Sequence, residues 1–166
     1  MKTAVVYYSL EGNTEYAALK VAEALGADVI RIRPRKAYPT EGFKKFFHGG
    51  KDATFKSRPE LEPYSFSRDG HDLVILCSPV WAGTFTPPLR SFLAENDLRG
   101  MRVAVMVSSS GGNTAKCISQ IREAAGAETL AAEVSLVDPK TRPSEENERR
   151  IAAFIEELEN IRRTEE

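Results

Sequence analysis

The sequence predicts an α/β fold built on a parallel sheet. Three observations lead there. Strand-like runs alternate along the chain with segments of helical periodicity. The run at 72–77 (DLVILC) is almost continuously apolar, as a strand covered on both faces must be. Polar, glycine-bearing turns stand where strand-like runs give way to helical ones.

The elements follow in order. Residues 2–8 (KTAVVYY) are β-branched and aromatic and read as the first strand. Residues 14–25 repeat Ala17, Ala18, Val21, Ala22 and Leu25 at helical spacing, and Gly26 stops the helix. Residues 28–33 (DVIRIR) alternate as a strand does and end at Pro34. The third strand is 72–77, and a helix is expected from Pro87 to Glu95. Residues 101–108 (MRVAVMVS) are the fourth strand, followed by a helix over 113–125 with Gly126 at its end. Residues 128–137 read as the fifth strand.

The last helix is expected over 144–163, with Ser144 as its N-cap. Glu145 and Glu146 fall in its first turn, where the helix dipole favours carboxylates. Asn147 stands where a capping box takes Glu or Gln, so the box is incomplete. Ile151, Phe154, Ile155, Leu158 and Ile161 form one apolar stripe. The irregular part is 34–71. Arg35, Lys36, Lys44, Lys45, Lys51, Lys56 and Arg58 make it basic, and Phe43, Phe46, Phe47 and Phe55 punctuate it. A short helix is expected around 41–48.

A length of 166 residues favours a single domain spanning 1–166. With 42% hydrophobic and 28% charged residues, the composition is that of a soluble globular protein. The net charge of -1 gives no pull toward nucleic acid or anionic lipid. Apolar runs are too short for a membrane span, and the N-terminus lacks a signal-peptide pattern. Cys77 and Cys117 are far apart, which suits a reducing cytoplasm and argues against a structural zinc cluster. Both read as buried filling, with nothing to make a reactive thiolate. His48 and His71 lack partners at metal spacing and read as surface or turn residues.

Three loops carry the candidate chemistry. The first is Tyr8-Ser9-Leu10-Glu11-Gly12-Asn13-Thr14. At the end of the first strand of an open parallel sheet, backbone amides point outward at a helix start, where the dipole is positive. Ser9, Asn13 and Thr14 add neutral donors, and the stretch holds no Lys or Arg, which suits a monophosphate. Walker and GxGxxG signatures are missing. The plain alternative is a capped helix start. The second loop is 78–89, SPVWAGTFTPPL, with the chain's one tryptophan, Trp81. That ring either covers a ligand or packs on the domain's own core. The third is 108–114, SSSGGNT, whose glycine pair lets backbone approach a flat ligand closely.

Together, SLEGNT, SPVWAGTFTPPLRSFL and SSSGGNT, in this order, resemble the three flavin loops of the flavodoxin family. The resemblance runs from the first strand to the final helix. It implies a flavodoxin-like three-layer sandwich, a five-stranded parallel sheet of order 2-1-3-4-5 with helices on both faces, and bound FMN. The uninterrupted fifth strand resembles the short-chain type. By this resemblance Ser9, Gly12, Asn13 and Thr14, with the amides of Leu10 and Glu11, cradle the FMN phosphate. Pro79, Val80, Trp81, Ala82 and Gly83 flank the isoalloxazine, and Ser109, Ser110, Gly111 and Gly112 approach its other edge. The chain departs from the pattern at Glu11, which replaces a hydroxyl residue and puts a carboxylate near a dianion. It also lacks the third-loop tyrosine that many flavodoxins stack on the flavin, and it is less acidic than they are.

Three functions fit these motifs. One is an electron carrier between redox partner proteins. Another is an NAD(P)H-dependent FMN reductase acting on a quinone or similar acceptor, for which the basic segment 35–58 could meet a nucleotide phosphate. The last is a cofactor-free interaction module. The first is the reading preferred here, with no catalytic residue and no metal, as a monomer or homodimer. The same segment could equally dock an acidic redox partner, and its plain reading is a solvated edge of the domain with the phenylalanines in the core.

Overall fold

The structure, a computed structural model, describes residues 1–38 and 57–165. The helix expected around 41–48 lies outside the described residues, as do Phe43, Phe46, Phe47, Phe55, His48 and the lysines from Lys44 to Lys56. Six strands and four α-helices are present among the described residues: β1 Thr3–Tyr7, α1 Asn13–Leu25, β2 Asp28–Arg31, β3 Leu73–Trp81, β4 Thr84–Phe85, α2 Pro87–Glu95, β5 Arg102–Ser109, α3 Ala115–Ala125, β6 Glu133–Val137 and α4 Glu145–Arg163.

The sheet order is β2-β1-β3-β5-β6, all parallel, with β4 paired antiparallel to β3. Counting the long strands alone, this is the expected 2-1-3-4-5 order. Side chains alternate across it. Val5, Ile75 and Ala104 turn to the face covered by Ala17, Val21 and Leu25 of α1 and by Ile151, Phe154 and Leu158 of α4. Val6, Leu76 and Val105 turn to the other face, under Leu89 and Phe92 of α2 and Cys117 and Ile121 of α3. Three layers result, a flavodoxin-like sandwich. Every residue of β1 is buried, because a central parallel strand has no solvent face.

Two elements depart from the expected boundaries. The segment after residue 77 is not a loop. β3 continues to Trp81, and β4 returns against it with Trp81 opposite Thr84 and Val80 opposite Phe85. Ala82 and Gly83 form the two-residue turn, with φ of 48° and 78°. Positive φ at both positions is the twist that a tight hairpin needs. β6 is also shorter than 128–137, since the chain ahead of Glu133 makes single bonds such as Ala131 N–H to Val103 C=O (2.8 Å).

Ser144 caps α4 as expected, its Oγ accepting the Asn147 N–H at 3.1 Å. The Asn147 side chain does something else. Its Oδ1 accepts from Val137 N–H (3.0 Å) and its Nδ2 donates to Val137 C=O (2.7 Å). Asn147 thereby stitches the edge strand β6 to the helix that follows it, which a Glu in a capping box would not do.

The two described ends of the basic segment are pinned together. Arg35 N–H donates to Glu60 C=O and Glu62 N–H to Arg33 C=O, both at 2.8 Å. Tyr38 then lays its ring against Tyr8 and Trp81.

Candidate functional site

The strand order reverses between β1 and β3, and a crevice opens at the carboxyl ends of the strands there. A cavity of about 590 Å³ occupies it. Residues from the ends of β1, β3, β5 and β6 line it.

The first loop leaves β1 at Tyr8 and enters α1. Gly12 has φ of 96°, and its N–H donates to Ser9 Oγ at 3.2 Å. Its carbonyl accepts the first helical bond, from Tyr16 N–H at 3.0 Å. The amides of Leu10, Glu11, Asn13 and Thr14 have no acceptor among the described residues. Those of Asn13 and Thr14 are orphan donors of the helix start, those of Leu10 and Glu11 belong to the turn ahead of it, and all four residues line the cavity. Thr14 lends its hydroxyl to Ser108 at the end of β5, at 2.7 Å.

Asn13 departs from its expected role as a phosphate donor. Its Oδ1 accepts from Lys140 N–H (2.9 Å) and Thr141 N–H (3.0 Å), and its Nδ2 lies 3.3 Å from Thr141 Oγ1. The side chain holds a neighbouring loop, and what it leaves for an anion is its backbone amide.

The β3–β4 hairpin forms the second wall. Ser78 and Thr86 lock it from beneath. Ser78 Oγ accepts from Thr86 N–H and meets Thr86 Oγ1, both at 3.1 Å, and both residues are fully buried. Pro79, Val80 and Gly83 line the cavity. Trp81 touches it too, yet only 3% of the residue is exposed. Its ring lies edge-on to Tyr8 (5.6 Å, 85°) and to Tyr38 (5.3 Å, 89°). The tryptophan expected as an aromatic wall is thus mainly core, and Pro79 and Val80 give the wall its apolar surface.

In the third loop Ser109 Oγ accepts from Gly111 N–H at 3.2 Å, and Gly111 has φ of 131°. Ser109, Ser110 and Gly111 line the cavity. Gly12, Ala82 and Gly112 shape the turns but are not among its lining residues.

A fourth loop escaped the sequence reading. Asp138 follows β6 with φ of 40° and lines the cavity, as do Ser108, Asn113 and Thr114. Asp138 N–H donates to Ser109 C=O at 3.0 Å. Arg142 pairs with Asp138 (2.9 Å) and donates to Ser110 C=O (2.7 Å). DPKTR has no glycine and no recognisable motif. A hint lay in its position, since it follows the last strand on the edge where the other loops gather.

Among the described lining residues, the ionisable carboxylates are Glu11 and Asp138, and no histidine, cysteine or lysine joins them. Burial raises the Cys117 thiol to about 12 and pushes Cys77 up as well, so neither is a thiolate near neutrality. His71 lies at the opposite end of the sheet, its ring nitrogens 2.8 Å from Ser67 C=O and 2.9 Å from Asp28 Oδ2. A cavity of about 660 Å³ beside it stands at the amino ends of the strands.

The family model described as Flavodoxin matches residues 2–147. The chain belongs to the flavodoxin family. Solved flavodoxin-like structures share its fold at low identity. A proposed flavoprotein of Bacteroides eggerthii DSM 20697 is 21% identical, with a TM-score of 0.75 over 93% of this chain and 96% of that one. A flavoprotein of Lactobacillus acidophilus NCFM, solved in complex with FMN, is 23% identical, with a TM-score of 0.63 over 84% and 95%. A flavodoxin of Streptococcus pneumoniae TIGR4 is 20% identical, with a TM-score of 0.56 over 96% and 99%. No curated protein sequence matches the chain.

Proposed function

We propose that this flavodoxin-family chain binds FMN in the crevice and carries electrons between partner proteins. The observation that carries the reading is the set of unpartnered amides of Leu10, Glu11, Asn13 and Thr14, residues that line a cavity of about 590 Å³ at the strand reversal. The left-handed turn at Gly12 puts a helix start at this loop, which suits a phosphate monoester. The cavity can hold a drug-sized ligand. The Lactobacillus acidophilus relative, solved with FMN, supports the choice of ligand.

The residues fit that group. The amides of Leu10, Glu11, Asn13 and Thr14, with the Ser9 hydroxyl, would hold the phosphate. Pro79, Val80 and Gly83 would meet one side of the ring system, and Ser109, Ser110 and Gly111 the other. FMN supplies the redox chemistry when bound, and the protein supplies binding and electrostatics. The chain's own part is positional. Hydroxyl pairs Ser78–Thr86 and Thr14–Ser108 brace the two loops from inside, so the crevice is preorganised. We further propose a cytoplasmic setting, supported by two buried, unbridged cysteines. Among the described residues, no helix is long and apolar enough to cross a membrane.

The test is anaerobic mixing of the FMN-loaded protein with NADPH in a stopped-flow instrument. A carrier stays oxidised with NADPH alone and is reduced when a flavodoxin reductase is added. Rapid reduction by NADPH alone turns the reading to an FMN reductase. A protein that remains colourless after incubation with FMN sinks both.

A further inference from the structure

The first loop has no cation of its own, but the fold delivers one. A Cβ built on Gly12 would lie 2.8 Å from Lys140 Nζ and 3.1 Å from Lys140 Cδ. The lysine side chain therefore lies along the turn, in space that any other residue at position 12 would fill. Its backbone is fixed in the same place, because Lys140 N–H donates to Asn13 Oδ1 at 2.9 Å. The flanking residues are tied as well, Thr141 to Asn13 and Arg142 to Ser110 C=O. Among the described residues no carboxylate lies within ion-pairing distance of the Lys140 ammonium. Arg142, on the same loop, is already engaged by Asp138.

We propose that Lys140 supplies the positive charge for the phosphate end of the crevice, so that the site selects a phosphorylated flavin over its dephosphorylated form. This rests on the FMN reading above. The electrostatic need is on view. A phosphate monoester carries about -1.5 to -2 charge at neutral pH. Glu11 and Asp138 bring two carboxylates to the same cavity. Arg142 neutralises Asp138. Lys140 brings one positive charge beside Gly12, at the start of the helix whose amides would face the phosphate. Lys140 is exposed, so it serves as a point charge at the rim, not as a buried ligand.

The experiment is titration of the apoprotein with FMN and with riboflavin, by calorimetry and flavin fluorescence, for wild type, Lys140→Met and Lys140→Arg. Wild type is expected to prefer FMN. Lys140→Met should lose about tenfold in FMN affinity, the size of one charge-assisted contact, with riboflavin binding unchanged. Lys140→Arg should keep most of the FMN affinity. Added salt should weaken FMN binding to wild type more steeply than to Lys140→Met. An unchanged FMN-to-riboflavin ratio in Lys140→Met overturns the role of Lys140 and leaves the FMN reading standing. Failure of wild type to bind either flavin overturns both.

Discussion

Thr14 in the first turn of α1 and Ser108 at the end of β5 share a buried hydrogen bond between their hydroxyls, 2.7 Å long. It joins the first and third loops of the crevice across the strand between them. With Thr14 at 2% and Ser108 at 4% exposure, water cannot substitute for a missing partner. Ser108→Ala should therefore cost about 1–3 kcal/mol of stability, the penalty for a stranded buried hydroxyl. Adding Thr14→Val removes the stranded group and should recover part of that loss. Urea midpoints of the two single variants and the double variant measure it, and additive losses would contradict a direct pair.

Asn13 holds the fourth loop by two backbone amides, those of Lys140 and Thr141. Asn13→Ala leaves both donors without that acceptor. The expected loss is about 1–3 kcal/mol, concentrated in the loop. Hydrogen exchange at Lys140 and Thr141 should speed up while β1 and β3 keep their protection. Unchanged exchange at both amides would show that the loop is held by other contacts.

The Ala82-Gly83 turn has room around it. A Cβ on Gly83 meets nothing within 4 Å, so Gly83→Ala isolates the backbone term at φ of 78°. It should destabilise by about 1–2 kcal/mol, the cost of a left-handed L-residue. Thermal midpoints test this. A loss much larger than that would mean the hairpin itself had rearranged.

Alkali should destabilise the fold through its buried and partly buried tyrosines. Burial, followed by the hydrogen bond to Glu15, raises Tyr7 from 10.0 to about 12. Burial, followed by the hydrogen bond to Glu95, raises Tyr64 to about 12, and burial pushes Tyr8 up as well. A raised native pKa means that the folded state holds its proton longer than the unfolded one. These groups contribute fully below the ordinary value of 10.0, and their contribution is lost as the pH rises from there through about 12. Urea unfolding at pH 8, 10 and 11 should show stability flat at first and then falling. Tyr8→Phe should make the decline shallower. An unchanged slope would mean Tyr8 ionises equally in both states.

The alternation of strands and helices was legible because burial on both faces writes itself locally: DLVILC could only be a covered strand. The three loops were legible for a similar reason. Each carries its own glycine and hydroxyl residues within a few positions, and turn chemistry is a short-range property. Ser144 as a cap and the stripe from Ile151 to Ile161 belong to the same class, since helix periodicity is read within two or three turns.

What remained hidden depends on residues distant in the chain. Trp81 became core because Tyr8 and Tyr38 close on it from two other segments, and no local pattern shows their arrival. Asn13 took Lys140 and Thr141 as partners 127 and 128 positions away. The residues alone thus settled the alternation of strands and helices and the edge on which the polar loops gather, since short-range burial and turn chemistry dictate those, while the strand order came from the resemblance to the flavodoxin family. Only the folded chain decided which donors stay free and where the charge of Lys140 comes to rest, because long-range packing alone assigns partners to polar groups.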